Sequence, residues 1–458
     1  MTTVYGDANS PGPDVFPLPC TPFERFMLLD DRPSHPMVYT VEVDLTGSID
    51  ADLLQSTLAE TLPRHPLLCA SLEGTALSRP RWVRASAAPK LVIGADHPPA
   101  EWHEEPIDLH SGPGIRARLA TGCDPSPLTL RVHHACTDGL GLFTFVLEWL
   151  ATYGRRRDRG QIPRPLPDST TQILRHRGRF PQSRERLSLT DRVRRIRRQL
   201  NVVSAATVPV ALDDGLRNSP AAATASTGSR FYEERLSRDE FEMIRLCAKE
   251  SGVSFNDWLL GGLAQTIVRW NQERGQSSDG DRLRMMAPVD LRERDEQFTS
   301  ACNRVSYKFL SRTYGGCLDW SSLLASISRE MSAVREHRSV VYLKWLRRLF
   351  LIPPLARHFA RPDRCMSTAL LSNVGDLSAA GRLLLPVVDG RLRAGDVEIL
   401  AIRAAPPRRS LTHVAIATLS YAGELSILAA RDDCNLSGAA MSRFLSHFRA
   451  SILSPLPS

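Results

Sequence analysis

Apolar positions along the chain switch repeatedly between two spacings. Val41, Val43 and Leu45 alternate with polar residues, the period-two pattern of a half-buried strand. Leu54, Leu58 and Leu62 then recur at helical spacing behind Asp50, which predicts a capped helix over 51–62. Strands are predicted over 67–72 (bounded by Pro66), 115–119 and 128–133. An apolar helix over 142–153 opens after Gly139 and Gly141. A second series starts near Arg230. It has a capped helix over 237–250, a long apolar helix from Asn256 to Asn271, and strands over 283–289 and 305–310. Helices follow over 318–335 and 341–359, the latter basic and interrupted at Pro353–Pro354. Strands over 368–371, 397–403, 413–420 and 424–430 and a helix over 437–452 close the chain. Both series mix strands and helices, so the expected class is α/β (α+β mixed), without a short repeat.

The stretch between the two series differs in composition. Residues 155–198 hold 15 arginines, no lysine and four acids, a net of +11. The whole chain of 458 residues is only +8, so the remainder is −3. The basic character belongs to one segment, and no DNA- or RNA-reading motif accompanies it, which argues against a nucleic-acid partner. The first reading is a solvated linker, with a basic helix over 191–200. The basic apolar stretch 343–359 raises peripheral membrane contact. Nine scattered cysteines without a CxxC pair speak against a disulfide scaffold or structural zinc and fit a reducing compartment. No leader-like N-terminus and no run of 18 uncharged apolar residues is present, so the expected location is cytoplasmic. The chain has no GxSxG, GxxxxGK[ST], GxGxxG or HExxH.

One dense constellation remains, RVHHACTDGLG at 131–141. Strand alternation puts His133 and His134 on opposite faces, so only one can enter a given cavity. Neutral imidazole is the usual general base near neutrality. Asp138 is placed to brace the turn that carries the histidines, and Gly139 and Gly141 let the chain leave the strand without a Cβ clash. The competing reading is a satisfied structural histidine pair. Cys136 as a nucleophile is the weaker assignment, since it fills a small variable position. Trp258 and Trp270 read as core.

At these residues the sequence resembles the HHxxxDG CoA-dependent acyltransferase superfamily. That group includes chloramphenicol acetyltransferases, nonribosomal peptide condensation domains, wax ester synthase/diacylglycerol acyltransferases and polyketide-associated acyltransferases. The look is nearest to stand-alone condensation-like, alcohol-acetyltransferase-type members. PFERFMLLD (22–30), LTGSIDADLLQSTLAETLPRHPLL (45–68), SFNDWLLGGLAQTIVRW (254–270), APVDLRER (287–294), CNRVS (302–306) and LLSNVG (370–375) match in order. The resemblance implies two chloramphenicol-acetyltransferase-like halves forming a pseudo-dimer around a central tunnel. They would be residues 21–154 and 229–458, with an irregular arm over 1–20 and the arginine-rich linker or crossover over 155–228.

The same resemblance implies an acyltransferase moving an acyl group from a thioester to an alcohol or amine. His134 would be the general base and Asp138 its catalytic-site companion, ion-paired with Arg292 of the second half. His133 and Gly139 would shape the loop. Ser372, Asn373 and Asn303 are the candidates for oxyanion donors or tunnel wall. No metal and no permanently bound cofactor are implied. The co-substrate would be acyl-CoA or a phosphopantetheine thioester, and the partners a small-molecule acceptor and an acyl or peptidyl carrier protein. The arginine segment could attract phosphates of either donor. Two other readings stay open: a free-standing condensation domain making amides, and a catalytically silent binding protein of the same fold.

Overall fold

The computed structural model describes residues 15–99, 102–103, 105–158, 170–180, 206–212, 231–276, 278–293, 296, 298–337, 341–430 and 436–455. Most of the arm and of the arginine-rich stretch, with the expected helix over 191–200, lies outside the described residues.

Two large sheets carry the molecule. The first is seven-stranded, in the order Val387–Val388, Arg391–Ala394, Val397–Ala405, Val38–Thr46, Ser126–His133, Ile115–Ala120, Leu91–Gly94. Ser126–His133 is buried at every position, as a central strand covered on both faces must be. On this sheet pack the helices Ala51–Thr61 and Gly139–Asp158. Asp50 caps the first by accepting the Leu53 N–H at 2.9 Å. Trp149 joins the two helices by donating to the Leu54 carbonyl at 3.0 Å.

The second sheet is six-stranded, in the order Val305–Thr313, Arg282–Asp290, Ala369–Asp376, Val414–Tyr421, Glu424–Ala430, Phe231–Leu236. Ala369–Asp376 runs parallel to both neighbours. The helices Arg238–Glu250, Phe255–Glu273, Trp320–His337 and Gly438–Leu453 build its core. Ser237 and Ser254 start the first two through capping boxes. Trp258 and Trp270 are buried there and donate to the carbonyls of Ile452 and Ala211. A small third sheet joins Leu18–Pro19, Arg81–Arg84 and Ala70–Glu73.

Two features depart from the sequence pattern. Residues expected to begin a strand at 67 instead wind as a 3-10 turn, Pro66–Cys69, and the strand is only Ala70–Glu73. Leu67 and Leu68 are both buried, and a short apolar run carries no period that separates the two outcomes. The strand Val397–Ala405, late in the chain, pairs antiparallel with Val38–Thr46 of the first sheet. Its Arg403 reaches Glu42 (2.9 Å) and Asp44 (2.8 Å) on that sheet and Glu233 (3.2 Å) on the other. One side chain therefore ties the two sheets together.

The opening helix Pro22–Asp30 sits beside the junction of the sheets. Thr21 and Glu24 form its capping box. The same Glu24 carboxylate accepts from Trp82 (3.0 Å) and from Arg177 (2.7 and 2.8 Å). Arg177 belongs to the arginine-rich stretch, yet it is buried and also donates to the Leu174 and Pro19 carbonyls. This arginine is structural. A desolvated charge needs such a set of partners to stay in place.

Candidate active site

His133 is the last residue of the central strand and His134 the first of the turn after it. Backbone bonds pin both: the His133 N–H donates to Gly114 at 2.9 Å and the His134 N–H to Met37 at 2.7 Å. The two imidazoles face different cavities. His134 lines a small one, about 50 Å³, with Phe26 and Met27 of the opening helix and Met286, Tyr307 and Ser372 from strands of the second sheet. His133 borders a wider one, about 440 Å³, with Leu28, Leu29, Asp31, Asp108 and His110. The opening helix thus separates the two spaces.

The role of His133 follows from its bonds. Its Nδ1 accepts the Ala135 N–H at 3.1 Å, so the proton resides on Nε2, which lies 3.3 Å from Asp31 Oδ2. Burial alone would raise the Asp31 carboxyl. The His133 hydrogen bond and the Met37 N–H outweigh it and hold that group below its ordinary range. His133 is therefore a packed, fixed-tautomer residue of the turn.

His134 is half-buried, and Tyr39 and Phe23 hold its ring, with centroids 5.3 and 5.9 Å away. Nδ1 is sealed and has no well-aligned hydrogen-bond partner among the described residues. Its own carbonyl and the Asn303 side chain favour the protonated ring. Asn303 Oδ1 is likewise buried without a donor. With the proton placed on the enclosed Nδ1, the Nε2 lone pair is unoccupied. Burial lowers the pKa of the ring below 6.5, against the smaller opposing pull of its own carbonyl and Asp138. The imidazole is neutral at neutral pH.

Asp138 does not join His134 as a second reacting group. Its Oδ1 accepts from Gly141 N–H (2.8 Å) and Arg292 Nη2 (2.8 Å). Its Oδ2 accepts from Arg292 Nη1 (3.0 Å) and Arg304 N–H (2.7 Å). Both oxygens are committed, so the catalytic expectation for Asp138 gives way to a bracing one. Arg292 also donates to the Cys302 carbonyl at 3.1 Å. Burial opposes its charge, but the Asp138 carboxylate overrides this and raises it further. The brace joins the histidine turn to the segment Cys302–Arg304.

Asn303 and Asn373 do not face the cavity. Asn303 donates its amide to the carbonyls of His134 and Ala135, both at 2.9 Å, leaving no N–H for an oxyanion. Asn373 Oδ1 accepts the Gly375 N–H at 3.1 Å where the strand shifts register. Ser372, one position earlier and on the opposite face, does line the His134 cavity. Gly139 needs no glycine, since a Cβ there would meet nothing within 4 Å. At Gly141 a Cβ would collide with Thr137 Oγ1 and lie 3.1 Å from the Cys302 backbone. The steric demand expected at both glycines falls on Gly141.

Two further residues were not legible as site groups. Tyr39 donates to the carbonyls of Thr137 (3.2 Å) and Asp138 (3.1 Å), bolting the turn from the neighbouring strand. Tyr342 lines the His134 cavity from the helix Val341–Leu349, packed against Tyr307 (5.5 Å) and Phe309 (5.6 Å). The only signal for Tyr39 is an aromatic at a buried strand position; for Tyr342 it is a place on the apolar face of a helix.

No family model matches the chain. An uncharacterized protein of Mycobacterium tuberculosis, Rv2305, is 22% identical over 94% of this chain and 98% of its own length. Among solved structures, the starter condensation domain of rhizomide synthetase RzmA, in complex with C8-CoA and Leu-SNAC, superposes with TM-score 0.64. It has 13% identity over 96% of this chain and 94% of its own. Polyketide synthase associated protein 5 from Mycobacterium tuberculosis gives 0.59 at 17% identity, covering 95% and 96%. The X-domain from teicoplanin biosynthesis gives 0.62 at 16%, covering 96% and 97%. The fold is that of the solved condensation domains, built here as two sheet-and-helix halves.

Replacing Asp138 by Asn sets an NH2 group against donors that now point at oxygen and leaves the Arg292 charge with only the half-exposed Asp290 carboxylate at 3.1 Å. Urea denaturation is expected to show a loss of about 3–5 kcal/mol. The two glycines should separate cleanly. Gly141→Ala is expected to lower stability by about 1–3 kcal/mol through overpacking, while Gly139→Ala melts at or slightly above the parent temperature.

Proposed function

We propose that the protein is an acyltransferase, passing an acyl group from a thioester to a small alcohol or amine, with His134 as the general base. The observation that carries this reading is the His134 ring itself. It is neutral, its Nδ1 side is closed, and it lines an apolar cavity between elements of both sheets. A neighbour of the same fold solved with C8-CoA supports acyl-CoA as the donor, and a phosphopantetheine thioester on a carrier protein offers the same reacting atoms.

In this reading the acceptor O–H or N–H points at His134 Nε2. The imidazole takes that proton as the acceptor attacks the thioester carbonyl. The tetrahedral intermediate carries the negative charge on the former carbonyl oxygen, and Ser372, Tyr307 and Tyr342 are the cavity residues with a hydroxyl to offer it. Collapse expels thiolate, which recovers the proton from the imidazolium as thiol. A positioned base contributes typically 10²–10⁴-fold, and ordering two substrates contributes more. Asp138 and Arg292 act through the turn and touch neither substrate.

The free volume beside His134 favours one second reading. About 50 Å³ is less than an acyl thioester end occupies, so Tyr342 and its neighbours must shift for turnover. A protein that keeps this closed state binds without reacting. Absence of thiol release across an acyl-CoA panel with mixed alcohol and amine acceptors would select it.

Thiol release from octanoyl-CoA with such acceptors is the direct assay. His134→Ala is expected to reduce kcat at least ~100-fold while leaving the melting temperature within a few degrees. A parental rate in that variant overturns the mechanism. Because burial disfavours the imidazolium, the base form persists to more acid pH than an exposed histidine allows. The acid limb of kcat/KM should have its midpoint below 6.5, the ordinary histidine value, with a plateau above it. A midpoint above 6.5 would assign the base elsewhere.

A further inference from the structure

The helices Val341–Leu349 and Pro353–Phe359 carry a surface that the proposed chemistry leaves unused. Their inner side is packed: Tyr342, Leu343, Leu346, Leu349 and Phe350 are buried. Trp345 and Phe359 meet edge to face at 4.8 Å and hold the pair as a hairpin. The tip is the opposite. Leu351, Ile352 and Leu355 are 76%, 53% and 40% exposed, and Pro353 and Pro354 between them are exposed as well. Single exposed leucines are ordinary, whereas five consecutive apolar residues standing in water mark a contact surface.

The flanks of this tip are cationic. Residues 341–362 contain no Asp or Glu. Lys344, Arg347, Arg348 and Arg357 are exposed, and none has an ion-pair partner among the described residues. The backbone is also suited to an apolar medium. The amides of Phe350, Leu351 and Ile352 donate to the carbonyls of Leu346, Arg348 and Leu349 at 3.0–3.1 Å. Pro353 and Pro354 have no N–H to satisfy. Most of the tip can therefore leave water without stranding a donor.

We propose that this hairpin docks on the surface of an anionic lipid bilayer. Leu351 to Leu355 enter the boundary between headgroups and acyl chains, and the four flanking cations meet lipid phosphates. The tip is exposed and aliphatic, a surface a fluid phase accepts without a matching partner surface, and the unpaired positive charge selects anionic lipid. No described helix is long and apolar enough to cross a membrane, so this contact is with the bilayer surface.

Sedimentation of the full chain with vesicles tests it. Vesicles of phosphatidylcholine with about 30% phosphatidylglycerol should bind the protein, and phosphatidylcholine alone at least tenfold more weakly, with the difference shrinking as NaCl rises. Leu351→Asp with Ile352→Asp, and separately Arg347→Glu with Arg348→Glu, should each weaken partitioning at least tenfold. All four side chains point to solvent, so circular dichroism and melting should stay parental. Failure of the wild type to bind phosphatidylglycerol vesicles overturns the proposal, as does binding that survives both double variants. So does stable capture of one protein by the tip without any vesicle binding. None of these readouts uses thiol release, so the result is independent of the acyltransferase reading.

Discussion

Everything about the histidine turn depends on one carboxylate surrounded by four donors. Asp138 accepts from Gly141, twice from Arg292, and from the Arg304 amide, and all of these are buried or nearly so. Two donors come from side-chain nitrogens of a residue 154 positions away, so the bond set spans the two sheets. A charge this deep is stable only when every lone pair is used, which makes the geometry nearly all-or-none. The same segment supplies Asn303, whose amide fastens the carbonyls of His134 and Ala135. The turn that carries His134 is thus held from this segment as well as from Tyr39 of the neighbouring strand and the Met37 carbonyl just before it.

The adjacent histidines do different work because a strand end turns them apart. His133 has both ring nitrogens occupied, by Ala135 and Asp31. His134 keeps one nitrogen unoccupied and stays neutral. Between the cavities they face lies the opening helix, with Phe26 and Met27 toward one and Leu28 and Leu29 toward the other. That helix is held in turn by Glu24 and Arg177, a buried pair that reaches into the arginine-rich stretch. A stretch that reads as linker in the sequence therefore contributes, through Arg177, to the placement of the wall beside His134.

Much of this was legible in the sequence, and the exceptions have physical reasons. Asp50 announces its helix because a cap is a local interaction, and the glycine-led helix after Asp138 is equally local. The pairing of Asp138 with Arg292 could be read only through family resemblance, since no periodicity links them. Ser372 and Asn373 are indistinguishable by composition, and the pleat decides which one meets the cavity. Asn303 reads as a donor, but its N–H groups are spent on carbonyls that only the folded turn brings near. Gly139 and Gly141 look equivalent until the Cys302 backbone comes within reach of one of them. Arg177 is lost among 15 arginines because charge density says nothing of which member finds a buried carboxylate.

The strand Val397–Ala405 has an implication for how the molecule is made. Glu42 and Arg403 are 361 positions apart, yet they lie on paired neighbouring strands. As the polypeptide emerges from the ribosome, Val38–Thr46 has an unfilled row of amides and carbonyls along one side until Val397–Ala405 has been synthesised. Such an open border invites pairing with another nascent copy. The acidic side chains Glu42 and Asp44 on that border repel a second copy of themselves and await an arginine, a built-in guard for the interval between translation and closure.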